Sequence, residues 1–155
     1  MKEGLVDSMV LMHYDNGHEK AIDWWERMLE DGWHLSISVV TLMERLKGIA
    51  NLSGNRRMVI SGFEARIDGM RKSSKIKRIY RVTAKISKVA YQLLREYCAR
   101  YTPPSGGRSI EGLICDMLIA GTAIEHNLVL FTHNLRDFEW ICNLRVQQPD
   151  YEVNA

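Results

Sequence analysis

The sequence predicts an α/β protein built on a central parallel β-sheet flanked by α-helices on both faces. Two observations carry this. Short apolar runs of strand length, around Leu5, Leu35 and Leu128, alternate with longer stretches of helical periodicity. Strands that alternate with helices in this way argue for a parallel sheet covered on both faces, even though Leu35-Ser36-Ile37-Ser38 alternates before it turns fully apolar at Val39-Val40. No internal repeat or low-complexity tract interrupts the 155 residues, so a single domain spanning 1–155 is expected.

Leu5-Val6, continued by Val10-Leu11-Met12, reads as a buried strand interrupted by Asp7, and Asp15-Asn16-Gly17 as a turn. From Glu19 to Glu30 the residues Ile22, Trp25 and Leu29 recur at helical spacing, with Gly32 as the stop. Leu35 to Val40 is a second strand, and Thr41 opens a helix with Leu42, Leu46, Ile49 and Ala50 on one face. A helix with Val59, Phe63, Ile67 and Met70 follows, weakened by Gly62 and Gly69. Ile76 to Val82 predicts a strand, after which Thr83 caps a long helix with Ile86, Val89, Ala90, Leu93 and Tyr97 inward. Thr102 to Gly107 reads as a loop. Ser109 to His126, apolar nearly all round, predicts a buried helix ending at Asn127. Leu128 to Phe131 is a strand, Arg136 to Trp140 a helical turn, and Leu144 to Val146 a last strand.

Composition narrows the functional classes. Hydrophobic content of 46% and charged content of 26% are those of a globular protein, and no run approaches a membrane span. The N-terminus lacks a signal-peptide pattern, so a cytoplasmic protein is expected. Cys98, Cys115 and Cys142 form no C-x-x-C pair, and the five histidines show no metal-ligand spacing, which predicts scattered surface or satisfied residues. Charge is uneven. Between Asp68 and Glu96 there is no acid but nine bases, including Arg71, Lys72, Lys75, Lys77, Arg78, Arg81, Lys85 and Lys88; the rest has 12 of the 21 Lys and Arg against 19 acids. A basic block on an acidic body suits a polyanion contact; it equally describes a solvated helix face.

Three acids are conspicuous. Asp7 breaks an apolar run, where an ionised carboxylate is costly unless paired or bound to metal. Glu44 completes Thr41-Leu42-Met43-Glu44, which matches a capping box and needs no function to explain it. Asp116 sits in Leu113-Ile114-Cys115-Asp116-Met117-Leu118-Ile119, a helix with no polar stripe, with the small residues Gly112, Ala120 and Ala123 near it. Such residues leave room for a group to approach, although a pairing with Arg would also account for the acid. Strands of a parallel sheet deliver ligand-binding residues at their carboxyl ends. The absence of G-x-G-x-x-G, Walker A and G-x-S-x-G motifs excludes dinucleotide, P-loop and nucleophile-elbow readings. Asp-Ser-Met after the first strand argues against an aspartyl-phosphate phosphatase, and His133-Asn134 against a receiver domain, which needs a lysine there.

Four stretches, in order, resemble the PIN domain, specifically VapC-like toxins of toxin–antitoxin operons. They are Leu5-Val6-Asp7-Ser8 with Val10-Leu11, Ile37 to Glu44, Asp116 to Ala123, and Phe131-Thr132-His133-Asn134-Leu135-Arg136-Asp137-Phe138-Glu139. The resemblance implies a PIN-like three-layer fold and a Mg²⁺- or Mn²⁺-dependent endoribonuclease in which Asp7, Glu44 and Asp116 hold one or two ions. Asn134 takes the fourth position of that site, where an amide lowers the negative charge. Asp137 could compensate, and Ser8, Thr41 and Thr132 would support the carboxylates. Met9 departs from the small polar residue usual there, and Gly121 replaces a usual alanine with little expected effect. The resemblance further implies an RNA substrate held by the basic block from Arg71 to Lys88, a homodimer, and a cognate antitoxin, with exposed aromatics near Trp24, Trp25 and Trp33 as candidates for packing at such a partner interface. A non-catalytic PIN-fold RNA- or partner-binding protein and a DNA-directed PIN nuclease are the alternatives; residue chemistry does not separate RNA from DNA.

Overall fold

The computed structural model describes residues 1–52, 54–101 and 109–153; the expected loop from Thr102 to Gly107 lies outside them. The order is β1 (Lys2–Val6), α1 (Ser8–Asp15), α2 (Glu19–Glu30), β2 (Trp33–Ser38), α3 (Val39–Ala50), α4 (Arg56–Lys72), β3 (Ile79–Tyr80), α5 (Ala84–Arg100), α6 (Ile110–Glu125), β4 (Val129–Phe131), α7 (Leu135–Phe138) and β5 (Val146–Gln147). All four pairings are parallel, in the order β3-β2-β1-β4-β5. The central strand β1 pairs Leu5 with Ser36 on one side and Val6 with Phe131 on the other. The carboxyl ends of β1, β2 and β4 therefore emerge on one edge.

Two expected boundaries move, for one reason. The first strand does not run on through Met12: it ends at Val6, and Val10, Leu11 and Met12 belong to α1. The second ends at Ser38, so Val39 and Val40 begin α3. In each case a short polar side chain caps the helix, Asp7 accepting from Ser8 N and Ser38 accepting from Val40 N. Apolar residues on both sides of the cap hide such a boundary, since buried strand and buried helix share a composition. The expected strand from Ile76 to Val82 shrinks to Ile79–Tyr80, whereas Thr83 caps α5 as expected, accepting from Ile86 N at 3.2 Å. Val59 is exposed rather than inward.

Neighbouring strand residues point into opposite layers. Val6 and Phe131 pack with Val10, Trp24, Trp25, Ile49, Phe63 and Ile67, from α1 to α4, while Leu5 and Leu130 pack with Leu93, Leu113, Met117 and Phe138, from α5 to α7. Layers close tightly at two glycines. A Cβ on Gly4 would collide with the Phe131 ring, and one on Gly121 would lie 3.1 Å from the Ile86 carbonyl oxygen. Gly121 thus sets how closely α5 approaches α6, contrary to its expected indifference. Trp24 and Trp25 are buried in the core and Trp33 packs on Phe131, so none of the three tryptophans is an exposed interface aromatic. No helix among the described residues is long and apolar enough to cross a membrane.

Candidate active site

Asp7 stands at the turn from β1 into α1, at the carboxyl end of the central strand. Its side chain is buried, yet both oxygens are occupied: Oδ1 accepts from Ser8 N at 2.8 Å and Oδ2 from Thr132 Oγ1 at 2.7 Å. Burial pushes its carboxyl up, the Thr132 and Ser8 bonds pull it back, and the nearby Asp137 carboxylate adds to the rise. Asp7 is thus neither within a strand nor a plain turn former.

Glu44 arrives from α3. Thr41 does not cap this helix; Ser38 does, so the expected capping box is absent and Glu44 is free to turn elsewhere. It accepts from Ser8 Oγ at 2.5 Å. Its carboxyl is raised, first by burial and then by the Asp7 charge; the Ser8 bond and Lys47 oppose that rise. Ser8 therefore joins the two carboxylates, its amide on Asp7 and its hydroxyl on Glu44. Thr41 is fully buried, and its Oγ1 has no hydrogen-bond partner among the described residues.

Asp116 lies on α6, half-buried, and α6 packs on α3. Its carboxylate and that of Glu44 are both close enough to Cys115 to help burial raise that thiol. Asn134 is exposed at the start of α7; its amide N–H donates to Thr132 Oγ1 at 3.1 Å, and its side-chain Nδ2 approaches Met9 Sδ at 3.6 Å, a weak acceptor. Asp137 sits in the first turn of α7, where it acts electrostatically on Asp7.

Hard carboxylate oxygens at one sheet edge, two of them raised by burial, suit a divalent cation such as Mg²⁺ or Mn²⁺, whose charge would relieve the Asp7–Glu44 repulsion. The donor chemistry fits such an ion. Among the described residues, however, no three His, Cys, Asp or Glu side chains converge as a ready-made metal cage. A groove of about 170 Å³ opens beside Glu44, lined by Ser8, Met9, Met12, Arg45 and Gly48.

The basic block is dispersed. Lys75 pairs with Glu26 at 2.6 Å, Lys77 with Glu3 at 3.1 Å, Lys72 with Asp68 at 2.9 Å and Lys85 with Glu125 at 4.0 Å. Glu125 lies at the far end of α6 from Asp116, roughly 13 Å along the axis at about 1.5 Å per residue. Arg71 is exposed at the end of α4, Arg78 belongs to the approach to β3, and Lys88 is exposed on α5. Arg81 directly follows the carboxyl end of β3. Sequence reasoning missed Lys47, which is near Glu44, because one lysine three residues along a helix carries no pattern. It also treated the histidines as scattered, whereas His13, His18 and His133 gather around Tyr151.

The PIN domain family model matches residues 5–143. No curated protein matches the chain. Among solved structures, VapBC2 from Rickettsia felis bound to a DNA fragment from their promoter contains a chain with a TM-score of 0.72 and 21% identity, covering 94% of this chain and 98% of that one. DNA-bound VapBC from Salmonella typhimurium gives a TM-score of 0.67 and 24% identity over 96% and 98%. A toxin–antitoxin complex from Klebsiella pneumoniae gives 0.62 and 24% over 97% and 99%. These likenesses are of fold. With the family match spanning most of the sequence and the parallel sheet delivering Asp7 to its carboxyl edge, the chain belongs to the PIN domain family.

Proposed function

We propose that the protein is a cytoplasmic, divalent-metal-dependent endoribonuclease that hydrolyses RNA phosphodiester bonds, and that it is the toxin of a toxin–antitoxin pair. The observation that carries this is the Ser8 bridge, which holds Asp7 and Glu44 together at the carboxyl edge of the sheet. Asp7 and Glu44, with Asp116 from the adjoining helix, would hold Mg²⁺ or Mn²⁺. A bound divalent cation supplies Lewis-acid stabilisation of phosphate oxygens and makes water easier to deprotonate. Thr132 and the Ser8 amide keep Asp7 oriented, and the Ser8 hydroxyl fixes Glu44. Asn134 offers an amide to orient substrate or water at the edge. Water adds to phosphorus as the leaving ribose oxygen departs and takes a proton, so no side-chain nucleophile is required.

Phosphate contacts beyond the scissile bond fall to the basic block, with Arg71, Arg78, Arg81 and Lys88 its principal members, since Lys72, Lys75, Lys77 and Lys85 already have acidic partners. The groove beside Glu44 suits an antitoxin segment. That partner is supported by the likeness to VapBC and toxin–antitoxin complexes. The exposed apolar residues Ile110 and Ile114 on α6 suit a second copy of the chain.

A second reading, a PIN-fold protein that binds RNA or a partner without cleaving it, is favoured by two observations: among the described residues the side chains form no ready cage, and Asn134 stands where an acid would add charge. One experiment separates the readings. Labelled structured RNA and single-stranded DNA are incubated with antitoxin-free protein in Mg²⁺, in excess EDTA, and with Asp116→Asn. RNA cleavage lost in both controls supports the proposal, preferential DNA cleavage redirects it to a DNA nuclease, and RNA binding without turnover supports the second reading.

A further inference from the structure

Three imidazoles and a phenol unused above meet beside the acidic edge. His13 lies on α1, His18 precedes α2, His133 stands between Thr132 and Asn134, and Tyr151 comes from the segment after β5. Tyr151 is at the centre. Its ring lies edge-on to His133 with centroids 4.7 Å apart, and 5.9 Å from both His13 and His18. Trp24 closes the far side at 6.2 Å. The Tyr151 hydroxyl shares a hydrogen bond with His13 Nδ1 at 3.0 Å. Only 6% of Tyr151 is exposed, whereas its neighbour Asp150 is a surface residue paired with Arg27. The segment is therefore anchored by the buried Tyr151 ring together with the buried Pro149.

The ring touches the two pieces of chain that form the Asp7 environment. His13 is on the helix that Asp7 caps. His133 is covalently between Thr132, which donates to Asp7, and Asn134, whose amide N–H donates to Thr132 Oγ1. Thr132 is further tied to β5, which leads into that segment, by its amide, which donates to the Gln147 carbonyl at 3.1 Å. A shift of the His133 ring would move the backbone that aims the Thr132 hydroxyl and the Asn134 amide. No three histidines, cysteines or acids among the described residues are arranged as metal ligands, so the cluster acts through packing and its one hydrogen bond.

We propose that Tyr151 is a positioning residue of the active site: through His133 and His13 it clamps the β4–α7 turn against α1, and so sets the aim of Thr132 and Asn134. This rests on the nuclease reading for its effect on turnover, but not for its effect on geometry. The test compares Tyr151→Leu and Tyr151→Phe in the full chain by two readouts: steady-state RNA cleavage in Mg²⁺, and the backbone amide resonances of Thr132 and Asn134. Tyr151→Leu is expected to lower kcat roughly ten- to a hundredfold with KM for RNA nearly unchanged, the loss typical of a displaced reacting group. It should shift the Thr132 and Asn134 amides while leaving that of Lys88 in place, and Tyr151→Phe should restore most of both. If Tyr151→Leu does not fold, His133→Ala removes the same contact from its half-buried side. Unmoved Thr132 and Asn134 amides in a folded variant overturn the proposal even if the wild type is active. Shifted amides with a wild type inert on RNA uphold the clamp and reject the ribonuclease reading instead.

Discussion

The Thr132 hydroxyl donates to Asp7 Oδ2 at 2.7 Å across 125 residues of sequence. The bond joins the ends of adjacent parallel strands, β1 and β4, and it explains how a carboxylate can be buried at all. Thr132 and the Ser8 amide together occupy both Asp7 oxygens, which offsets part of the desolvation of the charged form. What they do not supply is a positive charge.

Asp7→Asn removes the negative charge of the carboxylate while keeping the shape. Activity with Mg²⁺ should fall at least about a hundredfold, since the metal's stabilisation of transition-state charge amounts to several kcal/mol. Stability should move the other way. Asp7 and Glu44 are raised in the folded protein, so their contribution is fullest below their unfolded values near about 4 and is lost as pH rises through the folded values. Melting in EDTA between acid and neutral pH should show the wild type losing ground to Asp7→Asn as pH rises, and Mg²⁺ should restore it. Parallel curves would refute the account.

Ser8→Ala keeps the backbone bond to Asp7 and deletes the hydroxyl on Glu44. The Ser8 bond lowers the Glu44 carboxyl, so without it that group rises further. Turnover at neutral pH should fall roughly tenfold, as when a partner of a metal ligand is removed. The acid limb of the pH–rate profile should move to higher pH. A smaller rate with an unmoved acid limb would mean that Ser8 acts on something other than Glu44.

Acid should loosen the histidine cluster. Burial, with His18 close by, lowers the His13 imidazole; burial, with His13 close by, lowers that of His133. Depressed imidazoles contribute stability that is present above their unfolded value near about 6.5 and lost as pH falls through the folded values. His13→Phe, which stays neutral beside His18, His133 and Tyr151, should flatten the melting temperature against pH below that point. An unchanged slope would show that His13 does not titrate with unfolding.

Lys75 and Arg81 should separate structure from binding. Lys75 Nζ donates to Glu26 and Tyr14, and its carbonyl accepts from Trp25 Nε1 at 2.9 Å. Lys75→Met should cost stability, no more than about 1 kcal/mol for so exposed a pair, and leave RNA affinity unchanged. Arg81→Gln should weaken binding across RNA sequences and reduce the salt slope by about one. Titration at several salt concentrations checks both; equal effects would mean that the basic run acts as a diffuse field.

Elements with their own punctuation were legible in the sequence. Helix α2 was expected at Glu19–Glu30 and is found there, because its apolar spacing is amphipathic and Gly32, at φ 84°, stops it. Thr83 and Ser109 likewise announced α5 and α6. The starts of α1 and α3 were not legible, because apolar residues lie on both sides of the caps Asp7 and Ser38 and strand and helix share them. Thr41 misled for a related reason: a capping-box spacing occurs by chance wherever Thr and Glu fall three apart, and only the true boundary shows which hydroxyl caps.

By itself, the sequence determined the alternation of strand and helix, the parallel sheet that such alternation requires, and the unusual placing of Asp7 and Asp116 among apolar neighbours. These are local properties, written in periodicity and in the cost of an ionised group within an apolar run. Tertiary structure alone decided that Ser8 would bridge Asp7 to Glu44, that Thr132 would orient Asp7, that distant acids would partner Lys75, Lys77 and Lys85 of the basic block, and that three histidines would close on Tyr151. Each of these joins residues far apart in the chain. Their meeting follows from strand order and helix packing, which no spacing along a single stretch encodes.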